Sequence, residues 1–509
     1  MNKASCGTPL FDSSVWTPSI IRATYDEIER IAIDEYGLDV YPNQIDIITS
    51  EQMLDRYASN GMPFMYRHWS FGKHFAQHER LYQKGITGLA YEIVINTNPC
   101  IVHLMEENSM TMQALTIAHA AFGHNHFFKN NHLFKQWTDA SGILGYLAFA
   151  RDFVMKCEDE HGAKRVEQVL DSAHALHTLG INRAPRPMKL SLSDEKKRQK
   201  TRMEHAELTY NDLWKKTLPE RHKSATEEER EKRRRRLGLP EENLLYFVEK
   251  HAPKMEPWQR EIVRIVRKIA QYFYPQRQTQ VMNEGCATFV HYQTMHRLHE
   301  KGLITDGAML EFLHSHTSVV YQPWFNQRGF DRMGINPYAL GFAMMRDIFR
   351  IATEPTEEDR RWFRDFAGKG DPWTILRDAW KEFRDESFIQ QFLSPKVIRD
   401  FKFFSLYDAS ENKEIIVNAI HDERGYRKIR RFLANQYDVA QNDPDIRIED
   451  VDLDSDRTLT LHHAISHGVL LDKTSVNKTL THLASLWGYG VHLLEIDNKG
   501  EVRAEHHAN

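Results

Sequence analysis

Met282-Asn283-Glu284-Gly285-Cys286-Ala287-Thr288-Phe289-Val290-His291, read beside His119-Ala120-Ala121-Phe122-Gly123-His124-Asn125-His126, decides how this chain folds. The first stretch sets a carboxylate and an imidazole seven residues apart. At about 100° per residue, seven steps return to within ~20° of one helical face. The second stretch gathers three histidines in a short apolar segment that also reads as helix. Helices that turn imidazoles and a carboxylate toward each other supply what a borderline divalent metal takes as ligands. His119, His124, His126, Glu284 and His291 are therefore the candidate metal ligands. The candidate cofactor is a divalent metal, zinc or else iron or manganese. Taken singly, each histidine is more often a hydrogen-bonded core residue than a ligand. The recurrence of the same chemistry in two separate segments favours a site.

Helical spacing extends outward from both stretches. Ile20, Ile21, Tyr25, Ile28, Ile31 and Ile33 follow a capping-like Thr17-Pro18, and Thr111 to Phe128 is rich in Ala, Met and Leu. Further helices are expected over 138–180, over Trp258 to Tyr274 with a stop at Pro275, and over most of 296–390. Glu92-Ile93-Val94-Ile95-Asn96 reads as a short strand. After Ser394-Pro395 the texture changes to alternation. Strands are expected at 401–407, 414–420, 446–453, 458–464 and 491–496, with helices at 426–437 and 473–487. The expected fold is a mostly α-helical N-terminal domain with few short strands and a C-terminal α+β domain of ββαββαβ order. Residues 1–190 and 240–394 make the helical core, 191–239 a charged helical insertion or linker, and 395–509 the α+β domain.

The chain has 509 residues, 41% hydrophobic and 27% charged, with a net charge of -4. Those values suit a folded protein of two or three domains with no global attraction to nucleic acid. Arg230-Glu231-Lys232-Arg233-Arg234-Arg235-Arg236 is basic, but acidic Glu227, Glu228 and Glu229 abut it and no aromatics interleave. A solvated helix or linker fits it better than a nucleic-acid contact. Cys6, Cys100, Cys157 and Cys286 form no CxxC pair, which argues for a reducing compartment. No signal-peptide core and no apolar run of spanning length are seen, so the expectation is a cytoplasmic protein.

Several motifs resemble the SpoVR family, which is named for a sporulation protein needed for the spore cortex. They are Tyr66-Arg67-His68-Trp69-Ser70-Phe71-Gly72-Lys73, Tyr91-Glu92-Ile93-Val94-Ile95-Asn96, Gly123-His124-Asn125-His126-Phe127-Phe128, Asn283-Glu284-Gly285, Asn336-Pro337-Tyr338-Ala339-Leu340-Gly341 and Asp456-Arg457-Thr458-Leu459-Thr460-Leu461. The resemblance implies a cytosolic bacterial protein linked to sporulation or to stationary-phase stress. It also implies association with a PrkA-type serine protein kinase and a von Willebrand-factor-type companion. No settled activity comes with it. Members often carry Trp where this chain has Cys286, so a required cysteine nucleophile is not implied.

Asn283-Glu284-Gly285-x-Ala287 is similar to a stretch of gluzincin aminopeptidases in which the Glu is the third zinc ligand. Those enzymes carry an HExxH helix upstream. Here Ala120 stands where the general-base Glu would be, and His119 and His124 are five residues apart instead of four. In a regular helix five steps turn the second imidazole about 140° away. A π-bulge near Gly123 would bring the pair to one face. Alternatively His119 pairs with His126, seven residues on. A replacement base has Glu106, Glu107 and Glu167 as candidates. Two functions follow: a metal-dependent, peptidase-like hydrolase, or a non-catalytic regulatory or scaffold protein of the kinase system.

Overall fold

Thr17 accepts the Ile20 N–H and Pro18 occupies the first turn, so α1 (Pro18–Arg30) begins where the capping residues stand. The structure, a computed structural model, describes residues 8–58, 65–70, 92–182, 234–323, 334–403, 405–407, 416–418, 423–451, 456–466 and 468–509, and single residues at 73, 76, 80 and 231. The expected insertion at 191–239 therefore lies almost wholly outside the described residues, as does most of the loop around 322–329. β1 (Asn43–Ile48), β2 (Glu92–Ile95) and β3 (Cys100–Met105) form a sheet of order β1-β3-β2. β1 runs parallel to β3 and β2 antiparallel to it. Sequence spacing anticipates β2 alone. β3 is apolar except for His103 and buried on both faces, so it lacks the alternation that marks a half-buried strand.

Helix then dominates. α2 (Met110–Thr116) passes into a π-helix, Ile117–His124, and on into α3 (Asn125–Asn130). α4 (Pro257–Gln278) runs through Pro275 instead of stopping there. That proline lacks one N–H in the last turn and forfeits one bond without ending the helix. α5 (Gln280–Glu300), α6 (Asp306–Val319), α7 (Pro337–Thr353) and α8 (Asp385–Phe392) complete the helices that matter to the site. The Asp385 carboxylate accepts the Val281 and Met282 N–H groups at 2.9 Å each, capping α5 from inside the core.

Glycines let these helices meet backbone to backbone. A Cβ on Gly285 of α5 would lie 2.6 Å from the Gly341 backbone of α7, and one on Gly341 would lie 2.2 Å from the Val281 carbonyl oxygen. A Cβ on Gly123 of the π-helix would lie 2.4 Å from Ala287 Cα. The small residues of Asn283-Glu284-Gly285-Cys286-Ala287 are thus the contact faces of three interlocked helices. Around them lies one large apolar core, with Phe122, Phe127, Phe289, Phe312, Leu340 and Trp380 all buried.

The C-terminal elements appear in the expected order. β4 (Ser405–Tyr407) and β5 (Ile416–Asn418) pair with each other, and α9 (Glu423–Gln436) follows. β6 (Asp445–Val451), β7 (Leu459–Ala464), α10 (Lys473–Trp487), β8 (Val491–Ile496) and β9 (Val502–Ala508) come next. The four strands β6-β7-β8-β9 form one mixed sheet separate from the β4–β5 pair. β9, with the polar sequence VRAEHHA, carries no strand signal in its composition. The chain divides into two compact units, Met1–Leu170 with Lys268–Asp443 and Asp171–Arg267 with Pro444–Asn509. The division thus falls after Asp443, not at 395. α9 stays with the helical unit because Leu433 and Ala434 enter its core and Arg430 Nε donates to the Leu393 carbonyl at 2.8 Å.

Candidate metal centre

The π-helix resolves the five-residue spacing. With its wider turn, His119 and His124 emerge on one side, and their rings meet edge to face at 4.6 Å. Glu284, one position before Gly285 on α5, projects between them. Its Oε2 lies 3.8 Å from His119 Nε2 and 3.6 Å from His124 Nε2. The three ligand atoms lie within 4.8 Å of one another. Bonds of about 2.0–2.2 Å in a tetrahedral shell put ligand atoms roughly 3.3–3.6 Å apart, so the set needs only small adjustment to close on one ion. Glu284 Oε2 is buried and has no hydrogen-bond partner. A buried carboxylate oxygen in that condition is costly unless a cation or a proton satisfies it.

The outward nitrogens of both histidines are anchored. His124 Nδ1 contacts Asn283 Oδ1 at 3.0 Å, and His119 Nδ1 contacts His291 Nδ1 at 3.0 Å. His291 Nε2 in turn meets His316 Nδ1 of α6 at 2.9 Å. If His119 turns a lone pair at Nε2 toward the carboxylate, its proton sits on Nδ1 and is donated to His291. His291 then carries its own proton on Nε2 and donates to His316. One choice at the centre sets the tautomer of three rings, the arrangement by which metal-binding histidines are oriented.

Glu92, at the start of the edge strand β2, completes the ring of groups. Its Oε1 lies 3.7 Å from His119 Nε2. Burial, with Glu284 opposite, pushes the Glu92 carboxyl up to about 8. Burial raises Glu284 as well, while His124 and a hydrogen bond from Tyr338 pull it back. Burial and the neighbouring imidazoles hold His119 and His291 well below the ordinary histidine value, so both are neutral near pH 7 and keep lone pairs. Two carboxyl groups and two imidazoles converge here, with no lysine or arginine among the causes of these shifts.

His119, His124 and Glu284 are thus brought together, and His291 stands one layer behind His119. His126 is not part of the cluster. It points the other way, with Nδ1 accepting the Asp39 N–H at 2.9 Å and its ring edge-on to Trp380. Seven regular steps would have aligned it with His119, but the π-turn shifts the register and aligns His124 instead. Glu106 and Glu107 occupy an exposed turn after β3, and Glu167 lies on an exposed helical face. None of these three is among the groups around Glu284. Glu92, Asn283, His316 and Tyr338 were not singled out by spacing. Glu92 had one signal, an acid heading an otherwise apolar strand. Cys286 is buried, its thiol pushed well up by burial and its Sγ 3.7 Å from the Gly123 carbonyl oxygen, a packing role.

Comparison with known proteins places the whole chain. Residues 15–442 match the family model described as SpoVR like protein, and residues 444–498 match the SpoVR-like C-terminal domain. The chain is 53% identical over 502 residues to "Uncharacterized protein YcgB" of Escherichia coli (strain K12), covering 99% of this chain and 96% of that relative. No solved structure matches it. Among the described residues, no helix is long and apolar enough to cross a membrane.

Proposed function

The chain belongs to the SpoVR family, and we propose that it acts as a divalent-metal protein with hydrolytic, peptidase-like chemistry. His119, His124 and Glu284 would hold the ion. The observation that carries this reading is the buried Glu284 Oε2, without a hydrogen bond and 3.6–3.8 Å from two imidazole Nε2 atoms. A divalent ion held there supplies an acidified water near neutral pH. Glu92 reaches the same His119 Nε2 as Glu284 does, at 3.7 Å, but from the strand β2. The charge of a bound ion would offset the burial that raises the Glu92 carboxyl, and the ionised Glu92 would then take the place of the general base that an HExxH helix would put at Ala120. Tyr338 orients Glu284, and Asn283 and His291 orient the two imidazoles.

Metal content decides between this reading and its rival. Wild type purified without chelators should retain about one equivalent of a transition metal, held by three buried protein ligands with one position left for water. Cys286→Ala should match it and Glu284→Gln should fall well below, because the amide loses the anionic charge. Equal occupancy in all three would remove Glu284 as a ligand. No metal in any preparation would favour the rival, in which the polar groups hold a helical core and the protein serves a PrkA-type kinase system without catalysis. The partnership with that kinase and a von Willebrand-factor-type companion, and the role in sporulation or stationary-phase stress, belong to the proposal through family resemblance. Co-purification from stationary-phase cells tests them.

A further inference from the structure

The outward face of the C-terminal sheet repeats, on strands, the arrangement found between helices at Glu284. β8 and β9 are antiparallel, and His492 is the direct cross-strand partner of His507. Glu505 precedes His507 by two residues and so shares its face of the sheet. The opposite face is the covered one, where Val491, Leu493 and His506 are buried. On the outward face, Glu505 Oε2 lies 3.5 Å from His492 Nε2 and 3.9 Å from His507 Nε2. The two rings lie face to face at 4.1 Å.

We propose that His492, Glu505 and His507 form a second metal site, selective for a borderline transition ion such as Zn2+, Ni2+ or Cu2+. The three ligand atoms fall within 4.8 Å of one another. His492 Nε2 is shielded from solvent and meets Glu505 Oε2 only at 3.5 Å, the long limit of a hydrogen bond. Two imidazoles and one carboxylate suit these ions and leave hard Mg2+ and Ca2+ poorly served. Glu449, on β6, is engaged by Arg234 at 2.7 Å. Closing on an ion requires the stacked rings to fan apart. The His507 side chain, 62% exposed, is free to turn. With its outer side open to water, the site would exchange its ion readily, unlike the buried centre.

Calorimetric titration of the chelator-stripped full chain with Zn2+ tests this. Wild type should show a tight class and a weaker class of binding. His492→Gln with His507→Gln should remove about one equivalent of the weaker class or weaken it at least tenfold, as loss of two of three ligands must. Glu284→Gln should remove the tight class and leave the weaker one, so the two sites fail or succeed separately. His314→Gln, on an exposed helical face, should change neither class and controls for scattered surface binding. An unchanged weaker class in the double variant, or an equal loss in His314→Gln, would overturn the assignment.

Discussion

Replacing Gly123 by alanine asks whether the close approach of the π-helix to α5 builds the centre. In an unconstrained helix the change would stabilise by about 1 kcal/mol. Here the new Cβ would sit 2.4 Å from Ala287 Cα and 2.9 Å from Ala287 Cβ. Carbon atoms settle at about 3.5–4.0 Å, so the two helices must part by roughly 1 Å. Overpacking of this kind costs about 1–3 kcal/mol or more, which outweighs the gain in propensity. The same displacement separates His119 and His124 from Glu284. Ligand bonds of about 2.0–2.2 Å do not stretch to follow, so metal affinity should fall at least tenfold. Thermal unfolding of the apo form reads the first effect, and chelator competition for Zn2+ reads the second. Gly145→Ala is the control, since its Cβ would meet nothing within 4 Å. It should stabilise slightly and leave metal binding unchanged. A Gly123→Ala protein as stable as wild type, with unaltered affinity, would refute the claim that this contact sets the ligand geometry.

Three further outcomes follow from the geometry. His316→Leu removes the acceptor at the end of the imidazole row, and should weaken metal binding about tenfold. His316→Gln, which keeps an acceptor, should stay close to wild type; equal affinity in both variants would show that the row does not orient His119. In the apo protein, the carboxyls of Glu92, pushed to about 8, and Asp385, pushed to about 7, bind protons more tightly folded than unfolded. The buried histidines His119, His126, His291 and His316 are held below the ordinary value and favour stability rising through about pH 6.5. Only from about pH 7.5, where histidine is neutral unfolded as well, should apo stability fall as pH rises toward about 8.5, and Glu92→Gln should flatten that slope in pH-dependent melting curves. Asp385→Ala leaves the Val281 and Met282 N–H groups uncapped inside the core and should cost about 2 kcal/mol or more, read by denaturant unfolding.

Much of this arrangement is legible in the residues. Helical periodicity finds α1, the segment through His119 and α5, because each carries a long apolar stripe. Alternation finds β6, β7 and β8. The i, i+5 histidines together with Gly123 already required a π-turn if they were to act jointly, and the structure has one at Ile117–His124. The same turn removes His126, which regular helical geometry would have kept in line with His119. Glu92 was hidden for a different reason. It reaches His119 only because β2 packs beside the π-helix, a contact between segments with no periodic relation. His316 joins through α6 in the same way. The position of α9 depends on Arg430 and the Leu393 carbonyl, so the break in texture at Pro395 did not mark where the compact units divide.

The central claim is that one ion sits among His119, His124 and Glu284. Anomalous diffraction from crystals grown with Zn2+, recorded on both sides of the zinc absorption edge, tests it most directly. The account predicts a peak bonded to His119 Nε2, His124 Nε2 and Glu284 Oε2 at about 2.0–2.2 Å, with Asn283 and His291 still holding the two Nδ1 atoms. Zinc-grown crystals with no peak at this position, and Glu284 Oε2 instead hydrogen-bonded to a protein group or a water, would contradict it.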